Sequence, residues 1–256
     1  MKNPLIIFEH PMHEFMRHLL KLEYLFQLFE TRFNQDTAYD SKSALRTLVQ
    51  IYQFIEASQI VTEILKDIER HIEILEKLHP TPTVNRNALV AITEELDDIK
   101  IKIEQSKPLT PWVKENYFLS QVEYRMSLPL SDLNFDMPQW HLWLHQSMSQ
   151  RKVLLMEGLS QLIPVKQAVA LILHLTREST IPTLETADQG VFQKRLNSSL
   201  ACQLIRVVLN AHLEVYPEIT AIPNQIQIRF LAPDYTGEAP ALAKGNIPFE
   251  LTCCMI

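Results

Sequence analysis

The chain has 256 residues, a net charge of −6, 46% apolar and 21% charged residues. Such values are typical of a soluble globular protein with one or two domains. The longest apolar run, AVALILHL, is shorter than the roughly 20 residues that span a bilayer, so we predict no membrane insertion.

Several classes of partner and enzyme are excluded by motif. Nucleic-acid binding depends on clustered cations, and the chain has no run of Lys or Arg. Its four glycines are isolated, so neither the phosphate-binding glycine loops nor the G-x-S-x-G elbow of hydrolases can be formed. We therefore predict no nucleic-acid partner and no enzyme of these classes.

The compartment is indicated by the N-terminal segment and the cysteines. The opening MKNPLIIFEHP has one lysine and only a short apolar patch before Glu9, unlike a signal peptide. Three cysteines, two of them adjacent at Cys253 and Cys254, are typical of a reducing compartment. We predict a cytoplasmic protein.

The first 105 residues carry an apolar repeat in alternating steps of three and four residues, which is typical of helices in a bundle. Four segments show it: Phe15, Leu19, Leu22, Phe26 and Phe29; Ala44, Leu48, Ile51 and Ile55; Val61, Leu65, Ile68, Ile72 and Leu75; and Leu89, Ile92, Leu96, Ile99 and Ile103. We predict that each stripe faces a shared core.

The pattern becomes mixed after the proline-containing link SKPLTP. WVKENYFLSQVEYRM fits a helix, whereas QWHLWLH (139–145) is predicted to be a short aromatic-rich strand. Helices return after Ser147 or Ser149 as N-cap, and Pro164 is placed where a further helix would begin.

From about Gly190 the sequence favours strands. GVFQKRL, CQLIRVVL, NQIQIRFLAP and IPFELTCC are short, rich in branched and aromatic residues, and separated by turn residues. The third alternates between apolar and polar residues: Ile226, Ile228 and Phe230 to one side, and Gln225, Gln227 and Arg229 to the other. One face of this strand is therefore expected to be wet or functional.

Together these elements predict an α+β fold, a helical bundle domain plus a smaller antiparallel β-sheet domain. The helical domain is assigned residues 1–115, with 147–180 returning to it. The β domain is assigned residues 116–146 and 186–256.

A metal site is one interpretation of DMPQWHLWLH, because His141 and His145 share a face. The pair lacks the Glu of H-E-x-x-H, and no third ligand of matching spacing is nearby, although zinc needs three or four. We therefore predict a polar groove or packed histidines, with no metal, cofactor or catalytic residue. A metal-dependent enzyme using His141 and His145 is kept as an alternative.

Seven stretches together resemble the ZapD family of bacterial cell-division proteins. They are IFEHPMHEFMRHLLKLEYL, TEILKDIER, FDMPQWHLWLH, GVFQKRL, CQLIRVVL, YPEITAIPNQIQIRF and FELTCC, in family order over nearly the whole chain. The resemblance implies a non-enzymatic cytoplasmic homodimer at the midcell division site. It would bind the C-terminal tail of the tubulin-like FtsZ and cross-link FtsZ protofilaments, since two tail sites suffice to join two filaments.

The resemblance also assigns residues to tail binding. In the family the tail lies in a groove of the β domain lined by basic side chains, and four residues match basic or histidine positions: Arg229, His141, Arg206 and Arg125. Further candidates for the groove are Gln225, Gln227, Tyr117 and Trp143. The first helix and its partners are predicted to form the dimer seam, because its stripe is bulky enough for both core and interface.

The chain departs from the family at three positions. Gln225 and Pro223 stand where family members carry cations, and Tyr117 stands where arginine occurs in some of them. Charge-assisted hydrogen bonds to a carboxylate contribute about 1.5–3 kcal/mol where they are desolvated. Weaker or more apolar tail binding is therefore expected, and a helical adaptor for another division or envelope protein is kept as an alternative.

Overall fold

A computed structural model describes residues 4–78, 85–106, 111–128, 135–196, 202–222 and 225–255 of the chain. The chain divides into two compact units. Residues Met1–Arg17 and Leu173–Ile256 form one, here the β unit, and His18–Ile172 form the other, the helical unit. The predicted α+β fold class is confirmed.

The described helices are α1 Glu14–Phe33, α2 Ala38–Ser58, α3 Ile60–Leu78, α4 Arg86–Gln105, α5 Pro111–Lys114, α6 Tyr117–Met126, α7 Pro138–Leu144 and α8 Met148–Glu178. Side-chain oxygens cap several of their N-termini. Thr37 accepts a hydrogen bond from the backbone of Asp40, and Asn116 accepts one from Leu119. Ser147, one of the two predicted caps, accepts from the Gln150 backbone and returns a bond to the Gln150 side chain, a capping box at the start of α8.

The apolar stripes of α1, α2 and α4 supply the core of the helical unit. Leu19, Leu22 and Phe29 are fully buried, as are Leu48 and Ile51, which confirms the predicted faces. In α3 the buried face is shifted by about one residue from the predicted face.

The shifted face of α3 contains Ile60, Ile64, Ile68, Asp67 and His71. Nδ1 of His71 lies 3.2 Å from Oδ2 of Asp67 and donates to the Asp67 carbonyl oxygen at 2.8 Å. Such partners are what allow two polar side chains to replace apolar ones in the core. The predicted residues Val61, Leu65, Ile72 and Leu75 remain partly exposed.

The prediction of a strand at 139–145 is wrong, because these residues lie in α7. Pro138 occupies the first turn, where its missing N–H costs nothing. Trp140 and Trp143 are three residues apart, so a helix places both on its buried side. Consequently residues 116–146 belong to the helical unit, not to the β unit.

The predicted helix boundary at Pro164 is also wrong, since α8 continues through it. A proline inside a helix removes one hydrogen bond. Buried apolar residues on both sides, among them Leu162, Val165 and Val169, anchor the two halves in the core. In the described part of the chain, α8 is the helix long and apolar enough to cross a membrane, with 39% of its most apolar window buried. Core helices of soluble proteins share these properties, so this is a weak indication.

The described strands are β1 Leu5–Pro11, β2 Thr183–Ala187, β3 Val191–Arg195, β4 Cys202–Asn210, β5 Tyr216–Ile222, β6 Gln225–Ala232, β7 Ala241–Leu242 and β8 Ile247–Met255, with a short 3-10 helix at Ala211–Leu213. The first sheet has the order β1-β4-β8-β2. The second has the order β3-β6-β5, with β7 also pairing with β6. All pairs are antiparallel.

One core joins the inner faces of the two sheets. It contains Ala187, Ile205, Val207, Leu209, Ile226, Ile228, Phe230, Ala243, Ile247, Phe249 and Leu251. The predicted alternation in β6 is confirmed, because Ile226, Ile228 and Phe230 are fully buried. Strand β1 is not among the predicted strands, and its residues fall within the predicted helical domain. Its short run of β-branched and aromatic residues is nevertheless flanked by Pro4 and Pro11.

Candidate functional site

The outward side chains of the second sheet form a polar face. It consists of Val191, Gln193 and Arg195 from β3, Gln225, Gln227 and Arg229 from β6, and Glu218, Thr220 and Ile222 from β5. Cross-strand register fixes the rows: Arg229 lies between Val191 and Glu218, and Gln225 between Arg195 and Ile222. We refer to these nine residues as the polar face.

Arg229 is well exposed on this face. Its Nη1 lies 3.7 Å from Oε2 of Glu218, and the two side chains are 50% and 55% exposed. A contact of this length and exposure contributes at most about 1 kcal/mol. The guanidinium donors of Arg229 are therefore available to an outside acceptor.

Charge on the polar face favours an anionic ligand. Its two arginines, Arg195 and Arg229, outnumber its one acid, Glu218, which gives a net charge of +1. Between them lie Gln225 and Gln227, whose amides both donate and accept hydrogen bonds. Sequence reasoning missed Arg195 and Glu218, although the alternation in GVFQKRL could have found the arginine.

Arg206 lies elsewhere, on the outer face of the first sheet. Its Nε donates to Oε1 of Glu9 at 2.9 Å. The same carboxylate accepts hydrogen bonds from Nε and Nη2 of Arg177, at 2.9 and 2.8 Å. Side-chain exposure is 17% for Glu9, 21% for Arg177 and 20% for Arg206, so we call this mostly buried set the Glu9 cluster.

The two arginines cannot line one groove within the β unit. Ile205 and Val207, which flank Arg206 in β4, face the shared core, and so do Ile228 and Phe230, which flank Arg229 in β6. Because side chains alternate along a strand, Arg206 and Arg229 point out of opposite sides of the β unit.

The other predicted residues belong to the helical unit. Nη1 of Arg125 on α6 lies 3.8 Å from Oδ1 of Asp136. Tyr117, at the start of α6, is exposed. Trp143 is buried against Phe118 and Trp140, with ring centroids 6.1 and 5.6 Å away. The prediction that Trp143 lines a groove is wrong, because the helical period turns it inward.

Arg125 also lines a cavity of about 10 Å³ in the helical unit. The other lining residues are Arg46, Val122, Met126, Met137 and Trp140. A cavity of this size holds about one water molecule, so it is too small for a peptide side chain without rearrangement.

His141 in the last turn of α7 and His145, its C-cap residue, lie side by side and are exposed. Their ring centroids are 4.4 Å apart, and Nδ1 of His145 donates to the carbonyl oxygen of His141 at 2.8 Å. In the ranges that the structure describes, no three His, Cys, Asp or Glu side chains are grouped so that they could hold a metal ion. Among those residues, the histidine pair has no third ligand beside it.

Comparison with known proteins gives a consistent match. The sequence model of ZapD, a cell division protein, matches residues 20–229. The chain is similar to the cell division protein ZapD of Methylococcus capsulatus, with 32% identity over 258 residues and 100% of both chains covered. The proteins of the same name from Photorhabdus laumondii and Yersinia pestis are 31% and 30% identical, each over 97% of both chains.

Proposed function

Because the chain belongs to the ZapD family of cell division proteins, we propose that it binds the C-terminal tail of FtsZ on the polar face. As a cytoplasmic, non-enzymatic homodimer, it then cross-links FtsZ protofilaments at the midcell division site. Two tail sites in one particle join two filaments, and the second contact forms at a raised effective concentration.

The observation that carries the proposal is the exposure of the Arg229 side chain and the weakness of its ion pair. Its side chain is half exposed, and among the described residues its acidic neighbour is Glu218, at 3.7 Å. On the same side of β6 it follows the uncharged Gln225 and Gln227. Carboxylates of an extended tail can meet Arg229 and Arg195 while the amides of Gln225 and Gln227 pair with the tail backbone. Arg206 supports the fold instead, since it is mostly buried and its Nε donates to Glu9.

Residues of the helical unit remain as proposed secondary contacts. His141, Arg125 and Tyr117 each keep exposed surface on α6 or α7. Tyr117 and His141 offer aromatic surface together with hydrogen-bonding groups, which suits an apolar and polar peptide.

The dimer seam needs a surface other than the stripe of α1. Leu19, Leu22 and Phe29 are fully buried within a single chain, so they are already used by the core of the helical unit. Most of the predicted stripe on the first helix is therefore committed to the core, which favours another surface for the seam.

We place the seam on α8. Val153, Met156 and Ile163 are spaced by three and seven residues, so they share one face of the helix. Their side chains are 67%, 58% and 43% exposed. Burying such a stripe against its symmetry mate is the usual origin of a two-helix seam.

Mass measurement in solution tests the seam. A double variant, Val153→Glu with Met156→Glu, should convert the dimer to a folded monomer, because it places charges in an apolar contact. Val90→Glu changes an equally apolar, exposed residue of α4 and should leave the dimer intact. A stable dimer of the double variant would reject this placement.

Co-sedimentation with FtsZ polymers tests the proposed function. The chain should pellet with full-length FtsZ and cross-link its filaments, but not with FtsZ that lacks its C-terminal tail. Equal pelleting with both forms would reject tail binding. Pelleting with neither would favour an adaptor for another division or envelope protein.

A further inference from the structure

Two cysteines of the β unit meet across neighbouring strands. Cys202 is the first residue of β4 and pairs with Met255 of β8, and Ile205 pairs with Cys253. Cys253 and Met255 point to the same side of β8 because they are two residues apart, so Cys202 and Cys253 are diagonal neighbours. Both side chains pack against the core of the β unit, and the Cys202 thiol donates to the carbonyl oxygen of Leu204 at 3.7 Å.

Both thiols lie at the margin of the β core and are partly exposed. Lys194 of β3 lies near Cys253, held by an ion pair of 2.9 Å with Glu185 of β2. Cys254 differs, because it points to the other side of β8 and is fully buried. The three cysteines of the chain thus divide into an accessible pair and one enclosed side chain.

The two paired thiols differ in acidity. The neighbouring Cys202 thiol lowers the pKa of Cys253 to about 7, and the positive charge of Lys194 lowers it further, whereas burial and Glu185 raise it. The neighbouring Cys253 and burial raise the pKa of the Cys202 thiol. Because the thiolate is the reactive form, Cys253 is the nucleophile of the pair, with a protonated thiol beside it.

We propose that Cys253 and Cys202 form a peroxide-reactive dithiol that closes reversibly into a disulfide between β4 and β8. In the first step the Cys253 thiolate attacks one oxygen of hydrogen peroxide and the O–O bond breaks. The hydroxide that leaves takes up a proton to give water, and Cys253 becomes a sulfenic acid.

In the second step Cys202 attacks the sulfur of the sulfenic acid. The S–O bond breaks, a second water leaves, and the S–S bond forms. The protein loses two hydrogen atoms and the peroxide is reduced to two waters. A small thiol reductant reverses the reaction by thiol–disulfide exchange.

The backbone at this end of the sheet permits closure. A disulfide needs a sulfur–sulfur distance of about 2.05 Å, so the two thiols must approach each other from their diagonal positions on adjacent strands. The register is irregular between Cys202 and Leu204, where β4 begins, and Cys253 lies two residues before the end of β8. The required movement is therefore confined to two strand ends.

Treatment of the full-length protein with equimolar hydrogen peroxide, followed by mass spectrometry, tests the proposal. The wild type should lose two hydrogen atoms and yield a linked peptide pair containing Cys202 and Cys253, which a thiol reductant separates. Cys254→Ser should behave in the same way. Cys202→Ser should stop at a sulfenic acid on Cys253 that dimedone traps, and Cys253→Ser should react about 10-fold more slowly.

Two results would overturn it. One is oxidation of Cys254 at the rate of Cys253. This would mean that neither position nor acidity makes Cys202 and Cys253 more reactive towards peroxide than Cys254. The other is wild-type protein that gives no intramolecular link, whether it stays reduced, forms links between chains or carries only added oxygen. Both results come from wild-type protein, so they do not depend on the folding of a variant.

Discussion

The two outer faces of the β unit carry similar residues but use them differently. On the first sheet, Arg206 and Arg177 both bind the carboxylate of Glu9, and neighbouring Thr252 is buried. On the polar face, Arg229 has one acidic neighbour at 3.7 Å and stays half exposed. The comparison teaches that an outward-facing arginine on a strand is either bound within the fold or left available to solvent, according to the residues that face it.

Replacing Glu9, on the outer face of the first sheet, should destabilise the protein most. Glu9→Gln leaves two mostly buried guanidinium groups side by side without their counter-charge, so the free energy of unfolding should fall by about 3 kcal/mol. Urea denaturation measures this change. The matched control, Glu218→Gln on the polar face, should change it by less than about 0.5 kcal/mol. Equal effects at both sites would remove the distinction between the two faces.

The arginines themselves should show the next largest effect. Arg206→Ala should lower the free energy of unfolding by about 1.5 kcal/mol, because Arg177 still binds Glu9 while one charged hydrogen bond is lost. Arg229→Ala, on the open face, should stay within about 0.5 kcal/mol of the parent. The same denaturation experiment compares the two variants, and a larger loss from Arg229→Ala would contradict the assignment.

These differences could be predicted from the sequence only in part. The alternation in NQIQIRFLAP was enough to place Gln225, Gln227 and Arg229 on one face. It could not distinguish Arg206 from Arg229, because the partner of Arg206 is Glu9, which comes from β1 about 200 residues earlier in the chain. Strand register over such a separation is set by tertiary packing, which no local pattern encodes.

The region around α7 was mispredicted for a related reason. QWHLWLH is short, and its aromatic residues suit a strand by propensity as well as they suit a buried helix. Burial of Trp140 and Trp143 against Phe118 decides for the helix. As a result Trp143 became core, and His141 belongs to the helical unit rather than to the strands that carry Arg229.

Removal of the acid on the polar face should have the smallest effect. In the proposed complex the Glu218 carboxylate competes with the tail for Arg229, so Glu218→Gln should raise the affinity for a tail peptide about threefold, about 0.6 kcal/mol. The gain should shrink as salt rises towards 1 M, where the Debye length is about 3 Å. Titration at two salt concentrations measures it. An affinity that falls on this substitution would mean that Glu218 itself contacts the ligand.

The most direct test of the account is a titration of a labelled FtsZ tail peptide against Arg229→Ala and Arg206→Ala in parallel. We predict that Arg229→Ala weakens binding about 10-fold, or about 1.4 kcal/mol, while Arg206→Ala binds as the parent does under conditions where it remains folded. Unchanged binding by Arg229→Ala together with lost binding by folded Arg206→Ala would contradict the account and move the tail site to the first sheet.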